Sequence, residues 1–197
     1  MNRGRKPLAR GDPMRETSGK SPRSIAMKPY EQGALDGLCA VYSIVNATRI
    51  ISGIDEDGAK ELFKEIVQYL EKTSDLPKIL VSGIGLKTIG GILSDVVGDR
   101  ITNRSMPFKQ YPETPLDSFW AEMMGFLNGG GRRRAILVGV GGPMWDHWSI
   151  VESITEKQIR FFDSYKLKRL NRNRCATMRS TSSRPHILQP THTYFLS

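Results

Sequence analysis

The chain of 197 residues suits one domain with a tail, and its hydrophobic fraction of 39%, somewhat low for a globular chain, is still enough for a core. Its net charge of +9 is uneven: residues 1–28 hold eight Lys or Arg against Asp12 and Glu16, which leaves only +3 for all the others. Two distant cysteines exclude a disulfide framework, and three histidines show no metal-ligand spacing, so neither a metal nor a cofactor is expected and the chain suits a reducing compartment, the cytoplasm.

Residues 1–28, rich in Pro, Gly and Ser, read as a basic disordered tail, with residues 29–197 as the folded domain. The tail lacks the apolar block of a secretory signal, so delivery to another cell or compartment would take a signal-peptide-independent route. Met27 is an alternative start. No apolar run nears the roughly 20 residues of a membrane span, so no membrane partner is expected. The tail's charge leaves nucleic acid open, but no aromatic residues are interleaved there to stack on bases.

The stretch Gln32–Ala47, QGALDGLCAVYSIVNA, organises the rest. Cys39 follows a turn-rich segment, and Ala40, Val41, Ile44, Val45, Ala47 and Ile51 then repeat at helical spacing. Asp36 or Gly37 is placed to cap this helix. A thiol in a first helical turn sees free N–H groups and the positive end of the dipole, both of which favour a thiolate. Taken alone, a cysteine on an apolar helix is more often core than nucleophile.

A second, surface helix is expected over Asp55–Lys72, with Leu62, Phe63, Ile66, Val67 and Leu70 inward, and a break over Thr73–Pro77. A third should span Gly85–Gly98 on Leu86, Ile89, Ile92, Leu93 and Val96, followed by a short strand within Arg100–Met106 and a loop over Pro107–Thr114. A fourth runs from Pro115 to Leu127 with Phe119, Met123, Phe126 and Leu127 inward. The period then changes. Ala135–Val140 reads as a central strand, Gly141-Gly142-Pro143 as a turn, and His147–Ser153 and Gln158–Asp163 as two more strands. Tyr165–Arg184 is basic and aperiodic, which predicts a long loop, and His186–Leu188 and Thr193–Leu196 could close the sheet. Helices followed by antiparallel strands give an α+β domain.

A thiolate hydrolase also needs a base, a group that orients it, and donors for the oxyanion. His147, at the start of a strand, is the base candidate. Asp163 is the orienting candidate. In a hairpin centred on Thr155, His147 lies opposite Asp163, Ser149 opposite Phe161 and Val151 opposite Ile159. Opposed residues share a face with Cβ atoms roughly 4.5–5.5 Å apart, close enough for a carboxylate to bond the imidazole. A register one residue away puts Ser164 there instead. The amide of Gln32 could join the backbone N–H of Cys39 in an oxyanion hole. Trp148 and Trp145 flank the histidine and could shield it or line a substrate groove. Asp146, on the other face of the strand, is poorly placed to support it. His186 and His192 have no carboxylate at useful spacing.

Gln-(six residues)-Cys opening an apolar helix, a later His-Trp strand and a strand ending Phe-Asp-Ser together resemble the papain-like cysteine peptidase superfamily. The style is that of the compact bacterial branch that includes the leader-peptide-processing domains of bacteriocin exporters. The resemblance covers roughly residues 30–165. It implies a papain-like fold, with a helical part carrying the cysteine and a sheet carrying the histidine. The nucleophile would fall on Cys39, the base on His147, the orienting residue on Asp163 and the oxyanion residue on Gln32. The Gln-to-Cys spacing is one residue longer than the usual papain pattern. No exporter spans and no pro-segment are recognised, which suggests a stand-alone domain.

The leading expectation is a thiol hydrolase that cleaves a peptide or isopeptide bond of a peptide or protein substrate through a thioester. The same chemistry could serve a deamidase, a transglutaminase-like enzyme or an acyltransferase. A third reading, an inactive papain-like binding module, draws on the basic segments Arg132–Arg134 and Lys166–Arg174. Oligomeric state is not legible in the sequence.

Overall fold

The computed structural model describes Met1, residues 27–142 and residues 145–197, without the side chain of Trp145. The expected disordered tail therefore lies almost wholly outside the described residues. The protein is α+β, with five α-helices and a seven-stranded, chiefly antiparallel sheet.

Helix α1 (Cys39–Ser52) is buried on nearly all sides, as its run of small and β-branched residues requires, and ends at Gly53, whose left-handed φ of 72° no β-branched residue would accept. Helix α2 (Glu56–Thr73) is capped by Asp55, which accepts from Gly58 N at 2.9 Å, and buries Leu62, Ile66 and Leu70. The expected break is shorter than Thr73–Pro77: from Leu76 the chain folds as a further short helix, α3 (Leu76–Ser82), started by Asp75, which accepts from Lys78 N, with Pro77 in its first turn. Helix α4 (Leu86–Gly91) runs on through a π-helical turn, Ile92–Val97, and a 3-10 turn, Gly98–Arg100. The wider π turn moves the buried position from the expected Val96 to Val97.

Strand β1 (Arg104–Ser105) precedes helix α5 (Leu116–Asn128), which buries Phe119, Trp120 and Met123. The other strands are β2 (Ala135–Gly142), β3 (Trp145–Ile154), β4 (Gln158–Phe161), β5 (Arg169–Asn171), β6 (Cys175–Ala176) and β7 (His186–Leu196). The strand order is β1-β7-β2-β3-β4-β5, and β6 pairs with β7 in parallel. Strand β2 lies between β7 and β3 and is buried on both faces, which is why its sequence is apolar without alternation. One face packs Leu137 and Ile150 against α1, α2 and α4; the other packs Val138, Val140 and Val151 against α5.

Several expectations give way here. Gly141 and Gly142 extend β2 rather than form a turn. The expected loop Tyr165–Arg184 contains β5, a 3-10 turn at Arg172–Arg174 and β6, elements too short and too charged to show periodicity. The two expected closing strands are one, β7, with Pro190–His192 bulged out between Gln189 and Thr193 where it pairs with β2.

The largest correction concerns the β3–β4 hairpin. Ile154 pairs with Ile159, so the turn falls later than Thr155 and shifts the register by three residues. A bulge at Glu152 takes one residue back, and beyond it Val151 pairs with Phe161 and Phe162 N donates to Ile150 O at 2.9 Å. Asp163 is thus level with Ser149, not His147. The net shift of two preserves side-chain parity, whereas a shift of three would have put the carboxylate on the wrong face. Trp120 fixes the tip of the hairpin by donating from Nε1 to Thr155 O at 2.7 Å.

Candidate active site

Cys39 is the first residue of α1 and is partly exposed. Neither Asp36 nor Gly37 caps the helix as expected. Leu38 holds the cap position with no side-chain bond, so the first-turn N–H groups beside the thiol are left uncapped. Asp36 clamps the preceding turn instead: Oδ1 accepts from Leu38 N at 3.1 Å and Oδ2 from Gly33 N at 2.7 Å.

The segment before that turn is stapled to the rest. Asn46 of α1 takes both backbone groups of Tyr30, accepting from its N–H at 2.9 Å and donating to its carbonyl at 3.1 Å. Gln32 N donates to Ser164 O at 3.0 Å. The Gln32 side chain is held as well. Ser164 Oγ donates to Oε1 at 3.2 Å, and Nε2 faces Asp36 O at 3.4 Å, which orients the amide with its donor toward the Cys39 turn.

His147 Nε2 meets Asp163 Oδ1 at 2.6 Å, and both residues are buried. The diagonal relation set by the shifted register serves this bond, since residues two apart on one strand share a face. The same Oδ1 accepts from Ser149 Oγ at 2.6 Å, while Oδ2 accepts from the N–H groups of Tyr165 at 2.7 Å and Leu167 at 2.8 Å. Four donors therefore converge on one carboxylate. The Tyr165 ring stands 6.4 Å from the imidazole.

Burial alone would pull the imidazole pKa down, but the bond to Asp163 and its negative charge, with Cys39 nearby, outweigh it and push His147 up to about 9. Burial likewise disfavours the Asp163 carboxylate, but the bond to His147 and its charge, then Ser149 and Leu167, hold its pKa below the usual range. Asp163 takes Nε2, so Nδ1 is the ring nitrogen left for the sulfur.

Cys39, His147 and Gln32 line one cleft of about 440 Å³, together with Trp148, Asp146 and Tyr165. Its opposite wall is the end of α3 and the loop that follows it, from Val81 to Ile84. Backbone meets backbone there. Gly37 N donates to Leu80 O at 2.7 Å, and a Cβ on Gly37 would sit 2.6 Å from Gly83 N. Gly83 itself has a φ of +75°. Two glycines thus let this wall close on the Cys39 turn.

All four residues of the expected constellation are brought to this region. Trp148 lines the cleft and also packs against His192 at 5.9 Å, while the Trp145 side chain lies outside the described residues. Asp146 is at the rim but does not bond the imidazole, and neither His186 nor His192 is among the cleft's lining residues. Ser149, Ser164 and Tyr165 were not singled out as site residues from the sequence. Ser149 had a signal, since it lies two residues from His147 and hence on its face; Ser164 and Tyr165 had only their adjacency to Asp163.

No family model, curated protein or solved structure matches this chain.

Among the described residues no group of three His, Cys, Asp or Glu side chains could hold a metal, and no single helix is long and apolar enough to cross a membrane.

Proposed function

We propose that the protein is a papain-like cysteine hydrolase that cleaves a peptide or isopeptide bond. The observation that carries this reading is the buried 2.6 Å bond between His147 and Asp163, with Cys39 beside the imidazole at an uncapped helix start. Ion pairs of this kind are rarely buried without a purpose, and a cleft with a thiol is the setting that gives this one a purpose.

The chemistry follows from the geometry. With its pKa raised to about 9, His147 is protonated at neutral pH, and the chemistry requires it to meet Cys39 as an imidazolium beside the attacking thiolate. Cys39 Sγ attacks the carbonyl carbon, and the oxyanion is held by Gln32 Nε2 and the Cys39 N–H. The C–N bond then breaks as His147 Nδ1 gives its proton to the departing amine, leaving a thioester. Water attacks the thioester, its proton goes to Nδ1, the C–S bond breaks, and the acid leaves with the thiolate and imidazolium restored. Asp163 holds the ring in place throughout and stabilises its charged form.

The test is iodoacetamide labelling at neutral pH followed by peptide mapping. Cys175 is an internal control, because it is fully buried and its burial, only partly offset by the charge of Arg184, pushes the thiol up to about 12. Cys39 should be alkylated and Cys175 spared, with Cys39→Ala abolishing both labelling and peptide-amide hydrolysis. Equal labelling of the variant would refute a reactive Cys39.

The oxyanion role of Gln32 makes its own prediction. Gln32→Ala should lower kcat by about 100- to 1000-fold with little change in KM, because the amide acts on charge that develops only in the transition state. A variant with unchanged kcat would remove Gln32 from the machinery.

A further inference from the structure

Charge is segregated across this fold. From Asp55 to Asp99 the helical part carries nine Asp or Glu against five Lys. From Lys157 to Arg184 there are nine Lys or Arg, and the one carboxylate, Asp163, is buried under His147. All nine cations except Arg172 are exposed, and Arg172 is ion-paired with Asp117 at 2.7 Å.

The register of β4 and β5 sharpens the anomaly. Arg160 and Arg169 lie directly opposite each other, and among the described residues neither forms an ion pair. Like charges directly opposed destabilise a sheet. Cations on β5 also guard an edge strand against unwanted pairing. That purpose does not require a second arginine on the inner strand β4, and a carboxylate at either position would guard the edge without the repulsion. An anion that lies across both strands would relieve it.

This basic face is continuous with the cleft. Asp163 Oδ2, by accepting from Tyr165 N and Leu167 N, holds a turn in which Lys166 adopts a φ of +68°, the one positive φ of a non-glycine among the described residues. Such backbone is retained where surrounding structure enforces it, often at functional sites. Tyr165 lines the cleft, and three residues later the chain enters the basic run Lys168-Arg169.

We propose that the face formed by β4, β5 and residues 166–184 docks an acidic stretch of the substrate polypeptide, and that the Asp163–Leu167 turn leads the bound chain from this face into the cleft beside Cys39. The proposal rests on the hydrolase reading above. A polypeptide fits better than a nucleic acid because residues 166–184 contain no aromatic side chain on which bases could stack. The face also ends at a cleft whose groups suit amide chemistry.

The test uses the full chain and fluorescence anisotropy with labelled deca-glutamate, deca-glutamine and decathymidylate. Deca-glutamate should bind, more weakly as salt rises, and deca-glutamine should not. Arg169→Glu should weaken deca-glutamate binding by roughly three- to tenfold, as reversing an exposed charge does. It should also raise Tm by about 1–3 °C, because it places opposite charges across the β4–β5 pair. Opposite signs of the two effects separate a binding role from a structural one, and the N-terminal tail, common to both proteins, cancels in the comparison. Unchanged deca-glutamate binding in Arg169→Glu would overturn the proposal, as would tighter binding of decathymidylate, which would assign the face to nucleic acid. Cys39 labelling is read in the same samples. Its absence from the wild type would refute the hydrolase reading and leave the docking result standing on its own.

Discussion

Asp163→Asn should lower peptide-amide hydrolysis by about 100- to 10,000-fold and cost the fold about 3–5 kcal/mol. The reason is a count of donors. His147 Nε2, Ser149 Oγ, Tyr165 N and Leu167 N all point at one carboxylate, two on each oxygen. Asparagine offers one acceptor oxygen and one donor group. If its oxygen serves Tyr165 and Leu167, its N–H₂ faces the imidazole, which must then accept at Nε2 and carry its proton on Nδ1, the wrong tautomer for a base. If the oxygen serves His147, two buried backbone N–H groups meet another donor and the 163–167 turn loosens. Both arrangements disable the site, so activity and Tm should fall together. Ser149→Ala removes one donor of the four and should cost about 1–2 kcal/mol, with activity much better preserved. An Asp163→Asn protein within twofold of the wild type in kcat/KM would remove Asp163 from the proposed mechanism.

The second large effect is on pH dependence. The folded pKa of His147 is raised to about 9 from the ordinary imidazole value of 6.5. A raised pKa contributes stability that is fully present below the unfolded value and is lost as pH rises through the folded one. The protein should therefore lose on the order of 3 kcal/mol between pH 6.5 and about 9 from this group. Asp163 has the opposite sign. Its folded pKa is lowered from 3.8, so its contribution is present above that value and disappears as pH falls further. Urea midpoints measured from pH 3 to 10 should show an alkaline decline that His147→Gln flattens, since glutamine does not titrate. Hydrolysis should fall over the same alkaline range, because the imidazolium that protonates the leaving amine is being lost. A urea midpoint that stays level from pH 6.5 to 9 in the wild type would contradict the buried ion pair.

Much of this molecule was legible in one dimension. The helical repeat in Ala40–Ile51 determined α1 and set Cys39 at its start, and the change to a continuous apolar run at Ala135 determined the central strand. Periodicity carries such information whenever one face of an element must be buried. The candidates Gln32, Cys39, His147 and Asp163 were legible because each is a chemically distinct residue next to a recognisable element boundary.

Other features had no local signal. The π turn after Gly91, the two-residue strand β6 and the bulge in β7 are consequences of packing, and no sequence window of their size fixes them. The hairpin turn lies later than Thr155, and a bulge at Glu152 takes back one of the three residues of register shift, which restores side-chain parity but not the expected pairing. What the sequence alone determined was which residues were candidates for the proposed chemistry, because residue type and helical or strand period are local properties. The tertiary structure decided which carboxylate oxygen meets which ring nitrogen, that Ser149 shares it, and that a loop 45 residues beyond Cys39 forms the other wall of the cleft. Those depend on register and on contacts between distant segments, and a one-residue slip in either would have turned the side chains away from each other.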